Sequence, residues 1–212
     1  MSLLAHSQYH YGKFNYYSGG IKTSYDMYFY EFNKAQNVKH KQLPNFTITA
    51  TGAYYFTYLI EFHGGLKYSF RNLVMDWKFP TDPNDLFVPD ETKYKVAYIG
   101  MPLDARINVL YGMYVKTSIS LGIMPEFRTR PREIVTYQND ITEENFHTFN
   151  TKDFRKFLFA FPVGIHTKIN LNRHYTLELS ANYLQYVTKF NKTYSKNSAY
   201  AFSFSLGFFY DW

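Results

Sequence analysis

The stretch from Ala199 to Trp212, AYAFSFSLGFFYDW, alternates strictly between two faces. One face carries Tyr200, Phe202, Phe204, Leu206, Phe208, Tyr210 and Trp212; the other carries Ala201, Ser203, Ser205, Gly207, Phe209 and Asp211. Period-two alternation puts successive side chains on opposite sides of a strand, so this is a strand with one aromatic face and one small, polar face. Strands of soluble sandwiches usually run to about 5–6 residues. A barrel strand that crosses a bilayer needs about 9–11, turns its apolar side chains to lipid and sets rings at both interfaces. The stretch fits the second description and is predicted to close an outer-membrane barrel.

The same pattern recurs along the chain. Ile21 to Asn33 reads as a strand whose facing is ambiguous, because both registers contain aromatics. Further strands are predicted over Phe46–Phe56, Ile60–Arg71, Ala97–Asn108, Met113–Glu126, Phe157–Ile169 and Tyr175–Tyr183, giving about eight from Ile21 onward. An even count is the rule for bacterial single-chain barrels. The connections alternate in length: long at Lys34–Pro44, Leu73–Lys93 and Thr129–Asp153, very short near Thr57, Leu110 and Asn172, and medium at Asn191–Ser198. Short periplasmic turns and longer extracellular loops produce that rhythm. The predicted fold is an all-β, eight-stranded antiparallel up-and-down transmembrane β-barrel over residues 21–212. Residues 1–20 form a separate N-terminal segment, tyrosine-rich from Gln8 to Tyr17. Within it, Leu3-Leu4-Ala5-His6-Ser7-Gln8 reads either as the remnant of a secretory leader with an A-x-S cleavage site or as an ordinary start.

Composition agrees. Tyr (22) and Phe (21) bring the aromatic share to 21%, as girdled strands require. No run approaches the roughly 18 apolar residues of a spanning helix. Cysteine is absent, which rules out disulfides and thiolate metal sites. A net charge of +6, spread without a Lys/Arg block, gives no nucleic-acid signature.

The polar face of the strands collects Glu61, His63, Lys67, Arg71, Asp104, Arg106, Lys116, Glu126, His166, Lys168 and Glu178. The lumen of an eight-stranded barrel is just wide enough for side chains to fill it. These charges are therefore expected to pair with one another and with hydroxyls, leaving no open channel. A catalytic lipid-modifying barrel would need a nucleophile within reach of a base and an outward lipid pocket. His63 and His166 face inward, and His174-Tyr175-Thr176 is the nearest approach to a His-x-Ser pair, so no catalytic residue is assigned. Asp82, Asp85, Asp90 and Glu91 lack the spacing of a calcium loop, and no cofactor is implied. Trp77, Phe79, Phe87, Phe146 and Phe149 lie in the long connections, where apolar residues mark candidate partner-binding surface.

Three segments carry a family resemblance: YKVAYIGMPLDARINVLYGMYVKTSISLGIMPEFRTR from Tyr94, LIEFHGGLKYSFRNL from Leu59, and FSLGFFYDW from Phe204. The first resembles the central hairpin of the small outer-membrane β-barrels of Bacteroidetes (PorT-like, OmpX-like), with Pro in mid-strand, a brief turn and a strand of small residues. The resemblance covers about Leu59 to Trp212 outside the long loops. It implies a bacterial outer-membrane location and a non-enzymatic accessory role in an envelope complex, with PorT-like work in type IX secretion as its sharpest form. It also implies that Phe204, Leu206, Phe208, Tyr210 and Trp212 form the signal read by the barrel assembly machinery. Expected partners are thus outer-membrane lipid, that machinery, and envelope proteins met through the extracellular loops. The rivals are a narrow solute channel, a lipid A-modifying barrel enzyme and a soluble lipocalin-like barrel with its aromatics inside.

Overall fold

The computed structural model describes residues 17–30, 38–42, 45–77, 89–129, 132–137, 141–145, 154–190 and 198–212. Among them lie twelve strands: β1 (Tyr17–Phe29), β2 (Val38–Gln42), β3 (Asn45–Tyr55), β4 (Ile60–Trp77), β5 (Pro89–Gly100), β6 (Leu103–Tyr111), β7 (Val115–Arg128), β8 (Arg132–Tyr137), β9 (Thr142–Asn145), β10 (Phe157–Asn170), β11 (Tyr175–Tyr186) and β12 (Tyr200–Asp211). No helix among the described residues is long and apolar enough to cross a membrane.

Every pairing is antiparallel, and the strands close on themselves. The ring runs β1, β3, β4, then β5 with β6, then β7, β10, β11, β12 and back to β1. The seam is continuous: β12 pairs with β1 from Ser18↔Asp211 to Phe29↔Tyr200. Strands β5 and β6 are two pieces of one stave, so the barrel has eight staves. The break falls at Met101-Pro102, where proline offers no N–H to the ladder. Neighbouring strands bridge it: Gly65 N–H donates to the Pro102 carbonyl at 3.1 Å, and Met101 N–H to that of Pro125 at 3.0 Å.

Polar side chains shape the short turns at one end. The Thr57 hydroxyl accepts from the amides of Leu59 and Ile60 at 3.2 and 3.0 Å, and the Asn172 side-chain oxygen from those of His174 and Tyr175 at 2.8 and 2.9 Å. Asn and Thr mimic a backbone turn in this way.

The ring sorts the side chains by face. Ile21, Ile48, Leu66, Ile107, Leu121, Ile165, Leu179 and Leu206 lie exposed on the outside. Rings band both ends of this belt. Tyr17 with Tyr54 and Tyr210 with Trp212 sit at the turn end; Phe29 with Tyr200 and Phe127 with Phe157 sit at the other. Such an exterior, apolar with aromatic girdles, matches a bilayer and would be insoluble in water.

Several sequence expectations are corrected. The barrel opens at Tyr17 and not at Ile21, because Ser18, Gly19 and Gly20 already pair with β12 and β3. The stave expected over Ala97–Asn108 is the interrupted β5/β6 pair. The three long connections are not simply loops. Strand β4 continues to Trp77 and β5 starts at Pro89, inside the segment expected to connect them. Strand β2 lies within Lys34–Pro44, and β8 and β9 within Thr129–Asp153. Together they make a second tier: β2 pairs with the outer end of β4, β8 with the outer end of β5, and β9 with β8.

Candidate functional site: the charged lumen

The inward positions bring the buried charges together as three carboxylates, each set among cations. Nearest the short turns, Glu61 holds Lys116 and Lys168, the latter at 2.8 Å, with His63 Nε2 at 2.9 Å. The Asn108 amide donates to Glu61 at 3.1 Å, and Lys168 also donates to the Tyr55 hydroxyl at 3.0 Å. At mid-height Glu178 meets Arg106 at 2.8 Å, Lys22 at 2.9 Å and His166 Nδ1 at 3.2 Å, while Arg106 Nε donates to Asp104 at 2.6 Å. Toward the long-loop end Glu126 binds Arg71 and lies 3.4 Å from Lys67.

All eleven positions picked out above thus point inward; each Glu, Asp, Lys and Arg among them has an oppositely charged neighbour within the lumen, and His63 and His166 hydrogen-bond to Glu61 and Glu178. The reason is energetic. A carboxylate removed from water needs both a countercharge and hydrogen bonds for its remaining lone pairs.

Above the charges the lumen is closed by rings. The Arg71 guanidinium lies 4.5, 4.4 and 4.9 Å from the ring centres of Tyr28, Tyr98 and Tyr186, and donates to the Tyr186 hydroxyl at 2.7 Å. Phe154 and Phe190 pack beside this cage and are buried with it. Cation–π contacts strengthen when desolvated, as here. Between the middle and upper clusters remains a cavity of about 80 Å³, lined by Lys22, Lys67, Asp104, Arg106 and His166 among others. It has room for a few waters.

One arrangement has the connectivity of an acyl-transfer triad. Ser120 Oγ lies 2.8 Å from His166 Nε2, and His166 Nδ1 lies 3.2 Å from Glu178. A nucleophile also needs access and donors for an oxyanion. Ser120 is buried in the lumen wall, and Glu178 is already engaged by Arg106 and Lys22. The trio is a hydrogen-bond relay that satisfies buried polar atoms. Among the described residues no group of His, Cys, Asp and Glu is arranged to hold a metal ion.

Sequence reasoning missed Lys22, Tyr55, Asp26 and the Arg71 cage. The signal for Lys22 lay in its strand partner: it pairs with Gly207, which the closing strand turns inward. Asp26 is fully buried and accepts from Thr47 at 2.5 Å. Of the proposed loop surface, only the backbone of Trp77 lies within the described residues, as the last residue of β4; Phe79, Phe87, Phe146 and Phe149 lie outside them. Phe204, Leu206, Phe208, Tyr210 and Trp212 all face outward on or just past β12.

No protein-family model matches the sequence, and no curated protein matches it at a significant level. Solved structures do match in fold. Neisserial surface protein A is 10% identical, with 92% of this chain and 97% of that chain covered, at a TM-score of 0.50. OprG, an outer membrane protein of Pseudomonas aeruginosa, is 12% identical over 92% and 94% of the two chains, at 0.49. Ail, the attachment invasion locus protein of Yersinia pestis, is 12% identical over 92% and 99%, at 0.46. At such identities the likeness speaks for the fold alone. The chain is a small eight-stranded outer-membrane β-barrel, and its place is the bacterial outer membrane.

Proposed function

We propose that this barrel is a non-enzymatic, non-conducting anchor that presents its second tier of strands to other envelope proteins. The observation that carries the proposal is the extension of β4 and β5 past the apolar belt, where β2, β8 and β9 join them. Strand β9 pairs only with β8 among the described strands, so it offers an edge on which a partner strand can add. The filled lumen argues for an anchoring role over transport, since a path through it would have to break charge pairs at three levels. The sequence resemblance to PorT-like barrels makes type IX secretion the most specific form of this reading. The lipid-facing rings of β12 serve on insertion as the signal for the barrel assembly machinery.

The test is affinity purification of the tagged protein from its native outer membrane in mild detergent, with identification of what accompanies it. A stoichiometric set of envelope proteins supports the proposal and names the pathway. A solitary barrel sinks it. Steady current through the purified protein in a planar bilayer would instead establish a narrow channel.

A further inference from the structure

Strand β3 carries no charged residue, and the side chains it turns toward the lumen cavity are Thr47, Thr49 and Thr51. Thr49 pairs with Lys22 of β1 on one side and with Lys67 of β4 on the other. Neighbouring strands lie about 4.8 Å apart, so the two lysines start about 10 Å from each other with a hydroxyl row between them. Lys22 crosses the lumen to Glu178 at 2.9 Å. Lys67 meets no such partner. Its ammonium offers three donors, and these find the Met124 sulfur at 3.6 Å and one Glu126 oxygen at 3.4 Å. Charge-assisted bonds are shorter, about 2.7–2.9 Å. The other Glu126 oxygen is held closely by Arg71.

Arg106 brings a second unmet donor to the same cavity. The side chain is fully buried; Nε donates to Asp104 at 2.6 Å and Nη1 to Glu178 at 2.8 Å, while Nη2 has no acceptor among the described residues. Buried donors are almost always paired, so two unmet ones on charged groups around one cavity call for an acceptor. Lys67 and Arg106 line the cavity of about 80 Å³ together with Lys22, Ser24 and Thr49. Asp104 is the one carboxylate on this wall among the described residues, and it is turned to Arg106. The acids behind the wall are engaged as well: Glu178 by Lys22 and Arg106, Glu126 by Arg71, Asp26 by the Thr47 hydroxyl. His166, also on the wall, is turned to Ser120 and Glu178. The cavity therefore presents three cations and a set of hydroxyls against a single carboxylate.

We infer that the lumen cavity binds one small monovalent anion of the halide class, held by the Lys67 ammonium and the free edge of the Arg106 guanidinium. Size sets the class. A halide takes about the room of one water, about 30 Å³ in the liquid, so the cavity admits the ion with a little of its hydration. A sugar, a nucleotide or a lipid headgroup does not fit. Charge sets the sign, since donors dominate the wall, and a buried cation is stabilised by a countercharge that water does not bring. Ser24 and Thr49 can turn their hydroxyls to the ion, because a hydroxyl hydrogen rotates to suit its acceptor. The Arg71 cage closes the lumen above, so the ion is a fixed part of the fold that ties β4 to β6. The site depends neither on a partner protein nor on the second tier.

The experiment unfolds the full chain from vesicles with urea while chloride, or bromide, is exchanged for gluconate at constant ionic strength. An ion bound only by the folded state lowers the unfolding equilibrium constant in proportion to its concentration once the site is filled, about tenfold for each tenfold rise. The wild type is expected to show that dependence with both halides. Lys67→Met keeps the length of the side chain, removes the ammonium and should abolish the dependence. A second measurement needs no variant: crystals of the wild type grown in bromide should give an anomalous peak at the bromine edge within hydrogen-bonding reach of Lys67 and Arg106. Stability that is the same in halide and gluconate, a halide dependence unchanged in Lys67→Met, or a cavity that holds water alone at the bromine edge each overturns the inference.

Discussion

Arg106 reaches Glu178 through the lumen, Nη1 to Oε2 at 2.8 Å, from strands separated around the ring by β7 and β10. Both side chains are inaccessible, and the pair ties distant walls together. Removing one partner of a buried pair strands the other charge, a loss of about 3–5 kcal/mol. Glu178→Gln should therefore lower the unfolding free energy in vesicles by about 3 kcal/mol or more, read by urea titration. In a double-mutant cycle with Arg106→Met the two losses should fall short of additive by at least about 1 kcal/mol. Strict additivity would show that the contact carries no coupling.

The Ser120–His166–Glu178 relay yields a second expectation. Because Ser120 is 2% exposed and Glu178 is held by two cations, the hydroxyl has neither a route to substrate nor a free acid behind its base. A fluorophosphonate probe should leave the folded barrel unlabelled, and Ser120→Ala should leave cellular lipid A unchanged. Labelling that disappears in Ser120→Ala would make this site an enzyme.

Arg71 offers a third. Its guanidinium is stacked among three tyrosine rings while it donates to both Glu126 and Tyr186. A lysine keeps the charge but lacks the planar fork. Arg71→Lys should cost about 1–3 kcal/mol by urea titration, close to the loss of one charge-assisted hydrogen bond plus stacking. An unchanged midpoint would mean that the cage responds to charge alone.

How much of this was legible follows from where alternation holds. In β12 every second residue is apolar and outward, as is every outward residue of β10 but Thr167, so strand, facing and lumen charges can be read directly. Strand β1 defeats the rule: Ile21, Thr23 and Tyr25 on one side and Lys22, Ser24 and Asp26 on the other are separated only by pairing with Gly207 and its neighbours. Inward rings are equally hidden, since Tyr55, Tyr98 and Tyr186 look like girdle residues until a cation is placed against them. The second tier reads as loop because its strands are short and hang on the extended edges of β4 and β5. Their order comes from backbone pairing and leaves no periodic trace.

Two glycines on paired strands separate packing need from surface choice. A Cβ on Gly65 would stand 2.3 Å from the Ala50 carbonyl oxygen, a backbone atom that cannot swing away. A Cβ on Gly52 would meet nothing nearer than the Ser18 carbonyl at 3.7 Å. Gly65→Ala should destabilise the barrel by about 1–3 kcal/mol, the usual range for overpacking. Gly52→Ala should be neutral within about 0.5 kcal/mol. Folding yield into vesicles checks both, and a Gly52 variant as impaired as the Gly65 one would refute the contact argument.

The last expectation concerns the two tiers. The staves close without β8 and β9, whose pairings among the described residues run only to β5 and to each other. The outer end of β5 is also held by β4 from Asp76↔Glu91 to Lys67↔Gly100, so it keeps one full ladder when β8 is removed. Replacing residues 132–145 with a short polar turn should therefore leave a barrel with wild-type heat-modifiable migration and membrane insertion. It should lose the envelope proteins that accompany the wild type, because the exposed edge at β9 goes with the excised hairpin. A replacement that fails to insert would show that the second tier is part of the folding unit. A replacement that inserts and still retains its partners would move the binding surface to β2 and the outer end of β4.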